Sequence, residues 1–233
     1  MLDIISKYYL KLSGIYTQWY QPGQFFDAPA LQLISDKPMP VLAPKYDAKT
    51  NNYSYNVTTC DTNNFNLPQI SIYPLKTKSD ERVALVKCKM RPVVVLSQAV
   101  DCWKDKTRRS EDCFLVAPVY SFNGGTQGKV SYSLDFIERV KSYVYNTFFY
   151  LPESTSPFIR EGFIRFDRIQ VIHKPWLEHK TVKLEAEVID CLYAWLYCYL
   201  AWGVVKRKDD LPPLCNLILE YRDAKMKTLG LLP

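Results

Sequence analysis

The sequence predicts an α+β protein with a core rich in β-strands and with helices concentrated towards the C-terminus. Runs of β-branched and aromatic residues bounded by polar residues recur along the middle of the chain, as in RVALVKC, RPVVVLS and CFLVAPVYSF, and such runs are typical of strands. Apolar residues recur at helical spacing in residues 134–150 and 181–205. Glycine supplies only 8 of the 233 residues, which argues against folds that depend on several glycine-rich phosphate loops.

The composition is that of a folded chain with many aromatic rings and a small excess of positive charge. Hydrophobic residues make up 48% and charged residues 23% of the chain, which excludes disorder as the main state. Aromatic residues reach 14%, so rings are available to pack or to stack on a ligand. The 30 Lys and Arg against 24 Asp and Glu give a net charge of +6, which permits RNA or DNA binding without requiring it.

The cysteines and the N-terminal segment favour a cytoplasmic protein. The 7 cysteines include no C-x-x-C pair, which argues against a disulfide framework and against a zinc ribbon. The opening segment MLDIISKYYLKLSG lacks the apolar stretch and cleavage site of a secretory signal and predicts a short amphipathic helix. Residues 188–205 form an apolar window, but Asp190 and the tyrosines within it favour a buried or dimer-facing helix over a membrane span.

Changes in composition divide the chain into three parts. Residues 1–67 are rich in Pro, Asn, Thr and Asp and predict an N-terminal arm with a short helix, loops and short strands. Residues 68–205 predict a β domain with an inserted helix at 134–150, which Pro152 ends, and with a C-terminal helix at 181–205. Residues 206–233 predict a C-terminal helical extension.

Several kinds of catalytic site are poorly supported by the sequence. His173 and His179 are the two histidines, and no cysteine pair lies beside them at ligand spacing, so we expect neither a metal ion nor a cofactor. The segment GGTQGK has the wrong glycine spacing for a phosphate loop, and Val130 follows Lys129 where Ser or Thr should bind magnesium. The chain has no G-x-S-x-G motif, which argues against a serine hydrolase.

A set of charged and hydroxyl side chains remains at the ends of the predicted strands. Arg91 opens RPVVVLS, Tyr120 and Ser121 close FLVAPVYS, and Arg165 and Asp167 lie within GFIRFDRIQ. An Arg and an Asp two positions apart on a strand point to the same face of the sheet. Taken alone, such a pair is most often a surface ion pair.

Three segments that contain this set resemble, in order, the motifs of the MazF, PemK and Kid toxins. Met90–Ser97 (MRPVVVLS) is similar to the R-P-x-V-V-L-S strand of that family, and Leu115–Ser121 (LVAPVYS) is similar to its V-x-V-P-x-T-[ST] strand. Gly162–His173 (GFIRFDRIQVIH) resembles the segment G-V-V-R-C-D-Q-P-R-T-I-D. The likeness lies chiefly in residues 85–122 and 161–202.

The resemblance implies a mostly antiparallel SH3-like β-barrel, related in fold to CcdB, with an inserted helix and long C-terminal helices. It also implies a metal-independent endoribonuclease that cleaves single-stranded RNA by attack of a 2′-hydroxyl on the adjacent phosphodiester. In that scheme Asp167 is the general base, Arg165 faces the phosphate or the leaving oxygen, and Arg91 and Ser121 hold the phosphoryl oxygens. The implied partners are a second copy in a homodimer, with an RNA groove near the interface, and a cognate antitoxin.

Four further residues are candidates for RNA contacts under the same resemblance. Tyr120 stands where the family has a small hydroxyl residue, and its ring either stacks on a base or blocks the site. Lys89, Phe166 and Gln170 lie beside the catalytic candidates in the sequence. The alternative is the same barrel without catalysis, either as a CcdB-like inhibitor of a protein target or as a module that binds RNA or another effector.

Overall fold

The computed structural model describes residues 7–14, 20–32, 39–60, 81, 83–97, 100–101, 112–124, 129–130, 132–201 and 213–231. They form an α+β structure with mostly antiparallel strands, as predicted. The chain divides into two compact units, of which one comprises Met1–Ala30 with Met90–Pro233 and the other Leu31–Lys89. The candidate site lies in the first unit.

The elements of the described residues are numbered in chain order. The strands are β1 (Tyr9–Lys11), β2 (Gln24–Gln32), β3 (Met39–Asp47), β4 (Asn52–Cys60), β5 (Lys87–Val95), β6 (Val100–Asp101), β7 (Asp112–Ser121), β8 (Asn123–Gly124), β9 (Lys129–Val130), β10 (Phe148–Leu151), β11 (Ser154–Thr155), β12 (Phe158–Ile159), β13 (Gly162–Arg165), β14 (Gln170–His173) and β15 (Glu178–Leu184). The helices are α1 (Leu134–Lys141), α2 (Ala186–Ala201) and α3 (Pro213–Thr228).

The main sheet has the strand order β1-β15-β2-β5-β7-β13-β10, and β6 and β14 also pair with β7. Its antiparallel ladders bring together strands that are far apart in the sequence, such as β1 and β15. Within the described residues the order runs from β1 at one end to β10 at the other without closing. A closed SH3-like barrel is therefore not seen.

Strand β7 organises the part of the sheet that contains the candidate site. Along one edge, β13 pairs with residues 119–121 and β14 with residues 113–116. Between these two ladders, residues 165–169 lie opposite residues 117–118 alone, so the chain leaves the sheet and forms a 3-10 turn at Phe166–Arg168. The strand pair predicted over GFIRFDRIQVI is thus present as β13 and β14, but Asp167, which was expected on a strand with Arg165, lies on the turn between them.

Gly162 sets the close approach of β13 to β7. A Cβ atom at this position would lie 2.1 Å from the carbonyl oxygen of Tyr120 and 2.9 Å from the Cα of Ser121. Glycine is therefore required here for steric reasons, because any side chain would push the two strands apart.

Helix α2 covers one face of the main sheet, and α3 packs against α2. Val188, Leu192 and Trp195 of α2 are fully buried there against sheet residues such as Ile164, and burial of each large apolar side chain contributes about 1.5–3 kcal/mol. The Trp195 indole also donates a hydrogen bond of 2.9 Å to the carbonyl oxygen of Phe148. No helix among the described residues is long and apolar enough to cross a membrane.

The opposite face of the sheet has two separate apolar clusters. One contains Phe26, Val93 and Phe114. The other is built from Phe122, Val140 and Phe163 and has partly buried aromatic rings around it. Side chains alternate between the faces of a strand, so even-numbered residues of β7 belong to this face and odd-numbered residues to the face under α2.

The helix expected at 134–150 is shorter than predicted. It begins after Ser133, whose side chain caps it by accepting a hydrogen bond of 3.2 Å from the backbone N–H of Phe136, and it ends at Lys141. Tyr143 then takes a φ of 55°, in the left-handed region that does not continue a helix. The segment FFYL becomes strand β10 because it pairs with β13.

Two other helix predictions need correction, and one is confirmed. The described part of the predicted N-terminal helix contains strand β1, which pairs with β15. The helix predicted from residue 181 starts at Ala186, because residues 181–184 belong to β15, and residues 202–205 lie outside the described ranges. The last predicted helix is confirmed as α3.

The second unit contains a two-stranded hairpin of β3 and β4. The strands pair in register from Met39 opposite Cys60 to Asp47 opposite Asn52. Asn51 takes a φ of 52° in the turn, a conformation that Asn tolerates better than most residues. The segment ISIYPL, expected as a strand, lies outside the described residues.

Candidate functional site

Tyr120 lies at the centre of a cluster that the sheet register brings together. It is opposite Phe163 of β13 in the ladder, and the two rings stack with centroids 5.8 Å apart. On the other edge of β7, Val93 is opposite Pro118, so the same register continued by two residues places Arg91 opposite Tyr120. A row of side chains thus crosses three strands on the face opposite α2.

Two guanidinium groups lie on the Tyr120 ring. The Cζ atom of Arg91 is 4.4 Å from the ring centroid, and that of Arg165 is 5.3 Å from it. Both distances lie within the range of cation–π attraction. Arg165 is also 5.6 Å from the ring centroid of Phe148, which is its cross-strand neighbour on β10.

Arg165 and Asp167 form a two-pronged ion pair at the start of the 3-10 turn. The Nε of Arg165 donates to Oδ1 of Asp167 over 2.9 Å, and its Nη2 donates to Oδ2. Arg168 adds a third cationic group, with its Nε 3.7 Å from Oδ2 of Asp167. Asp167 raises the pKa of Arg165 above its usual value, chiefly through these hydrogen bonds. The Arg165 guanidinium is therefore charged at any pH near neutrality.

Arg91 has no such carboxylate partner among the described residues. Its Nε atom is buried and has no hydrogen-bond partner in that part of the chain. A buried donor without a partner costs about 1–3 kcal/mol. The ring of Tyr120 compensates part of this cost, and the donors of the guanidinium remain available to an anion.

Tyr132 is the remaining polar ring of the cluster. It stacks on Phe136 at 4.9 Å and meets the edge of Phe163 at 5.5 Å. Burial raises the pKa of Tyr132, and the charges of Arg165 and Arg91 oppose part of that rise. Its hydroxyl therefore lies within electrostatic reach of both guanidinium groups. We call Arg91, Tyr120, Tyr132, Arg165 and Asp167 the arginine–tyrosine site.

Four of the predicted residues are not part of this site. Ser121 points to the other face of β7, and its hydroxyl donates to the carbonyl oxygen of Asn123 over 2.9 Å. Phe166 is a core residue, 2% exposed and packed near Tyr199, so it does not offer a ring to a base. Gln170 donates to the carbonyl oxygen of Pro29 over 3.3 Å. Lys89 is exposed and belongs to the second unit.

The described residues also contain one close cysteine–histidine pair. The Cys113 Sγ lies 3.2 Å from the Nδ1 of His173, because β7 and β14 place the two residues directly opposite each other. The sequence did not indicate this contact, since 60 positions separate the two residues. No group of three potential metal ligands occurs in the described ranges.

Comparisons with protein-family models, with curated proteins and with solved structures find no match to this chain. The likeness to the MazF, PemK and Kid toxins therefore remains a likeness of the three sequence motifs. Those motifs and the geometry of the arginine–tyrosine site are the observations that bear on function.

Sequence reasoning missed two parts of the site. Tyr132 lies in a polar stretch directly before the helix cap Ser133, where nothing in the local pattern marks it. Phe163 lies in the motif GFIRFDRIQVIH, but nothing in that motif indicates that its ring connects Tyr120 with Tyr132. The aromatic content of 14% was the available signal for a clustered set of rings.

Proposed function

We propose that this protein is a metal-independent endoribonuclease that cleaves single-stranded RNA by attack of a 2′-hydroxyl on the neighbouring phosphodiester. The observation that supports it best is the convergence of Arg91 and Arg165 on the ring of Tyr120, with Asp167 bound to one of the two guanidinium groups. These residues come from three motifs that are far apart in the sequence. Their convergence is what the nuclease hypothesis requires.

The proposal first requires a surface that binds single-stranded RNA. Guanidinium groups bind phosphate oxygens through paired hydrogen bonds, and Arg91 has donors available for this. Aromatic rings stack on unpaired bases, with a contribution of about 1–3 kcal/mol per base. Bases in a duplex are already stacked and hidden, so a site of this composition favours single strands.

Asp167 is the proposed general base. An ionised carboxylate has about four lone-pair positions, and the bidentate contact with Arg165 uses two of them. The remaining positions are available to a ribose hydroxyl, because the Asp167 side chain is 30% exposed. Arg165 keeps the carboxylate oriented while its own charge lies near the phosphate.

The two arginines are the proposed stabilisers of the transition state. The phosphoryl group gains negative charge as the 2′-oxygen attacks, and hydrogen bonds to charged groups contribute about 1.5–3 kcal/mol each. Ser121 does not hold the phosphoryl oxygens in this mechanism, because it lies on the other face of the strand. Arg91 then holds the phosphoryl oxygens without help from a hydroxyl.

The wider context of the protein is proposed from the motif resemblance alone. It comprises an SH3-like barrel, a homodimer, a cognate antitoxin and a cytoplasmic location. Each is independent of the cleavage chemistry and can be tested separately.

A second candidate function is RNA binding without cleavage. The specific observation in its favour is that Arg165 occupies both oxygens of Asp167, as in an ordinary structural ion pair. In that case the carboxylate serves only to position Arg165, and the site acts as an anion-binding and ring-stacking surface.

Cleavage of a labelled single-stranded RNA in excess EDTA separates the two candidates. We expect products with a 2′,3′-cyclic phosphate and a 5′-hydroxyl, and we expect Asp167→Asn to slow cleavage by about 10²–10⁴-fold, as removal of a general base does. Asp190→Asn is the matched control, since Asp190 is exposed on α2, and it should cleave normally. Salt-sensitive RNA binding without any product would support the second candidate. Cleavage that persists in Asp167→Asn would exclude Asp167 as the base.

A further inference from the structure

The proposed cleavage lacks a proton donor for the leaving group, and the inference below rests on that proposed function. When the bond between phosphorus and the 5′-oxygen breaks, the oxygen leaves as an alkoxide and needs a proton. Arg165 is a poor donor, because Asp167 raises its pKa above an already high value. Asp167 takes a proton at the start of the reaction and cannot supply one to the other side at the same moment.

The ring packing of Tyr132 places its phenol where it can serve as this proton donor. Its ring lies against Phe136 on one side and edge-on to Phe163 on the other. Phe163 in turn stacks on Tyr120, on which both guanidinium groups rest. The phenol is therefore connected to the two arginines through Phe163 and Tyr120, within reach of their charges, whereas the ring of Tyr120 is covered by the guanidinium groups themselves.

The hydroxyl of Tyr132 is also available to donate a hydrogen bond. Within the described residues it has no hydrogen-bond partner, while neighbouring tyrosines of the same cluster use theirs. Tyr150 donates to Glu161 over 2.6 Å, and the hydroxyl oxygen of Tyr145 accepts a hydrogen bond from Arg139. A phenol that is free to donate, next to two cationic groups, has the properties of an acid in phosphoryl transfer.

We propose that Tyr132 is the general acid that protonates the leaving 5′-oxygen. The 2′-oxygen forms its bond to phosphorus as its proton passes to Asp167. The bond between phosphorus and the 5′-oxygen breaks, and that oxygen takes the phenolic proton of Tyr132. The resulting phenolate lies near Arg165 and Arg91, and water then returns a proton to it and accepts the one held by Asp167. No oxidant, metal ion or other reactant is needed for the balance.

The electrostatic environment of Tyr132 favours both the protonated phenol before the transfer and the phenolate after it. Burial raises its pKa, so the phenol is protonated at neutral pH and ready to donate. The charges of Arg165 and Arg91 act in the opposite direction and stabilise the phenolate formed by the transfer. The 5′-alkoxide is a much stronger base than a phenolate, so the proton moves downhill.

The test compares two leaving groups in the same RNA. Tyr132→Phe keeps the ring that packs on Phe136 and Phe163 but removes the proton. With an ordinary 5′-oxygen we expect its single-turnover rate to fall about 100-fold, the usual effect of losing a general acid. With sulfur in place of the 5′-oxygen, we expect it to cleave within about twofold of the wild type, because a thiolate leaves without a proton. Tyr145→Phe is the matched control and should behave as the wild type with both substrates.

Several results would overturn the assignment. Normal cleavage of the oxygen substrate by Tyr132→Phe would show that the hydroxyl is not used. An equal loss on the oxygen and sulfur substrates would mean that Tyr132 only positions the site. Selective rescue by sulfur in Tyr120→Phe would assign the acid to Tyr120 instead. A wild-type protein that cuts no RNA refutes the proposed function itself, and with it this role, whereas failure confined to the Tyr132 comparison leaves the nuclease intact.

A second substitution tests the proposal even if Tyr132→Phe does not fold. Difluorotyrosine at position 132 keeps the phenol and its packing but lowers its pKa, because the fluorine atoms stabilise the phenolate. If Tyr132 is the acid, the alkaline decline of the cleavage rate moves to lower pH in this protein. A pH profile identical to that of the wild type would contradict the proposal.

Discussion

Replacing Arg91 with methionine separates the contribution of this side chain to stability from its contribution to RNA binding. Arg91 is half-buried on the Tyr120 ring, and its Nε has no hydrogen-bond partner among the described residues. Methionine keeps an unbranched apolar side chain that can still pack on Tyr120. We therefore expect Arg91→Met to weaken RNA binding while leaving the fold nearly as stable as before.

Two opposing contributions of the Arg91 guanidinium determine how Arg91→Met changes the free energy of unfolding. Loss of the cation–π contact over 4.4 Å removes about 0.5–2 kcal/mol of stabilisation. Removal of the unpartnered Nε recovers about 1–3 kcal/mol of desolvation cost. The free energy of unfolding should thus stay within about 1 kcal/mol of the wild type or rise slightly. Loss of charged hydrogen bonds to phosphate costs about 1.5–3 kcal/mol, or about 10- to 150-fold in affinity.

Two measurements on the same preparation test this expectation. Denaturant unfolding gives the free energy of unfolding, and fluorescence anisotropy with a labelled single-stranded RNA gives the affinity over a series of salt concentrations. The slope of log affinity against log salt should fall by about 0.7 if one phosphate contact is lost. Arg160→Met, an exposed arginine in the same unit, should change neither quantity. A loss of more than about 2 kcal/mol in stability with unchanged RNA affinity would show that Arg91 is structural.

Two further predictions concern the frame around the site. Gly162→Ala should lower the free energy of unfolding by about 3 kcal/mol, because its Cβ meets the Tyr120 carbonyl oxygen at 2.1 Å; an unchanged melting temperature contradicts this. Burial raises the pKa of Glu161, but hydrogen bonds from Lys141 and Tyr150 outweigh it and hold the pKa below 4.5. That stabilisation is complete above pH 4.5 and is lost as the pH falls through the lower folded value. Glu161→Gln should flatten this acid decline of stability, and Glu153→Gln should not.

The sequence allowed the position of the site to be predicted better than its geometry. The sequence predicts Arg91, Tyr120 and Arg165 as site residues because they lie in three motifs that occur in the order of the toxin family, and the strand register brings them together. The association of Arg165 with Asp167 was also expected, but for a different reason. The sequence argument placed both on one strand, whereas Asp167 lies on a turn that reaches back to Arg165.

The errors have a common physical cause, which is pairing between distant strands. The segment 142–150 continues a helical pattern of apolar residues, yet the ladder with β13 makes part of it a strand. The motif resemblance placed Ser121 in the site together with Tyr120, but alternation along β7 puts the two on opposite faces. Periodicity describes local preference, and it cannot show which partner strand a segment will find.

The turn between β13 and β14 affects which substitutions the proposed active site can accept. Each of these strands is anchored to β7 by its own ladder, so the length of the turn between them does not set the alignment of either one. The exposed part of the turn can change while the surrounding scaffold keeps its alignment, provided that the buried ring of Phe166 is kept. The carboxylate at the proposed scissile phosphate therefore lies on a turn that neither ladder with β7 includes, so a substitution at Asp167 leaves the pairing of both strands intact.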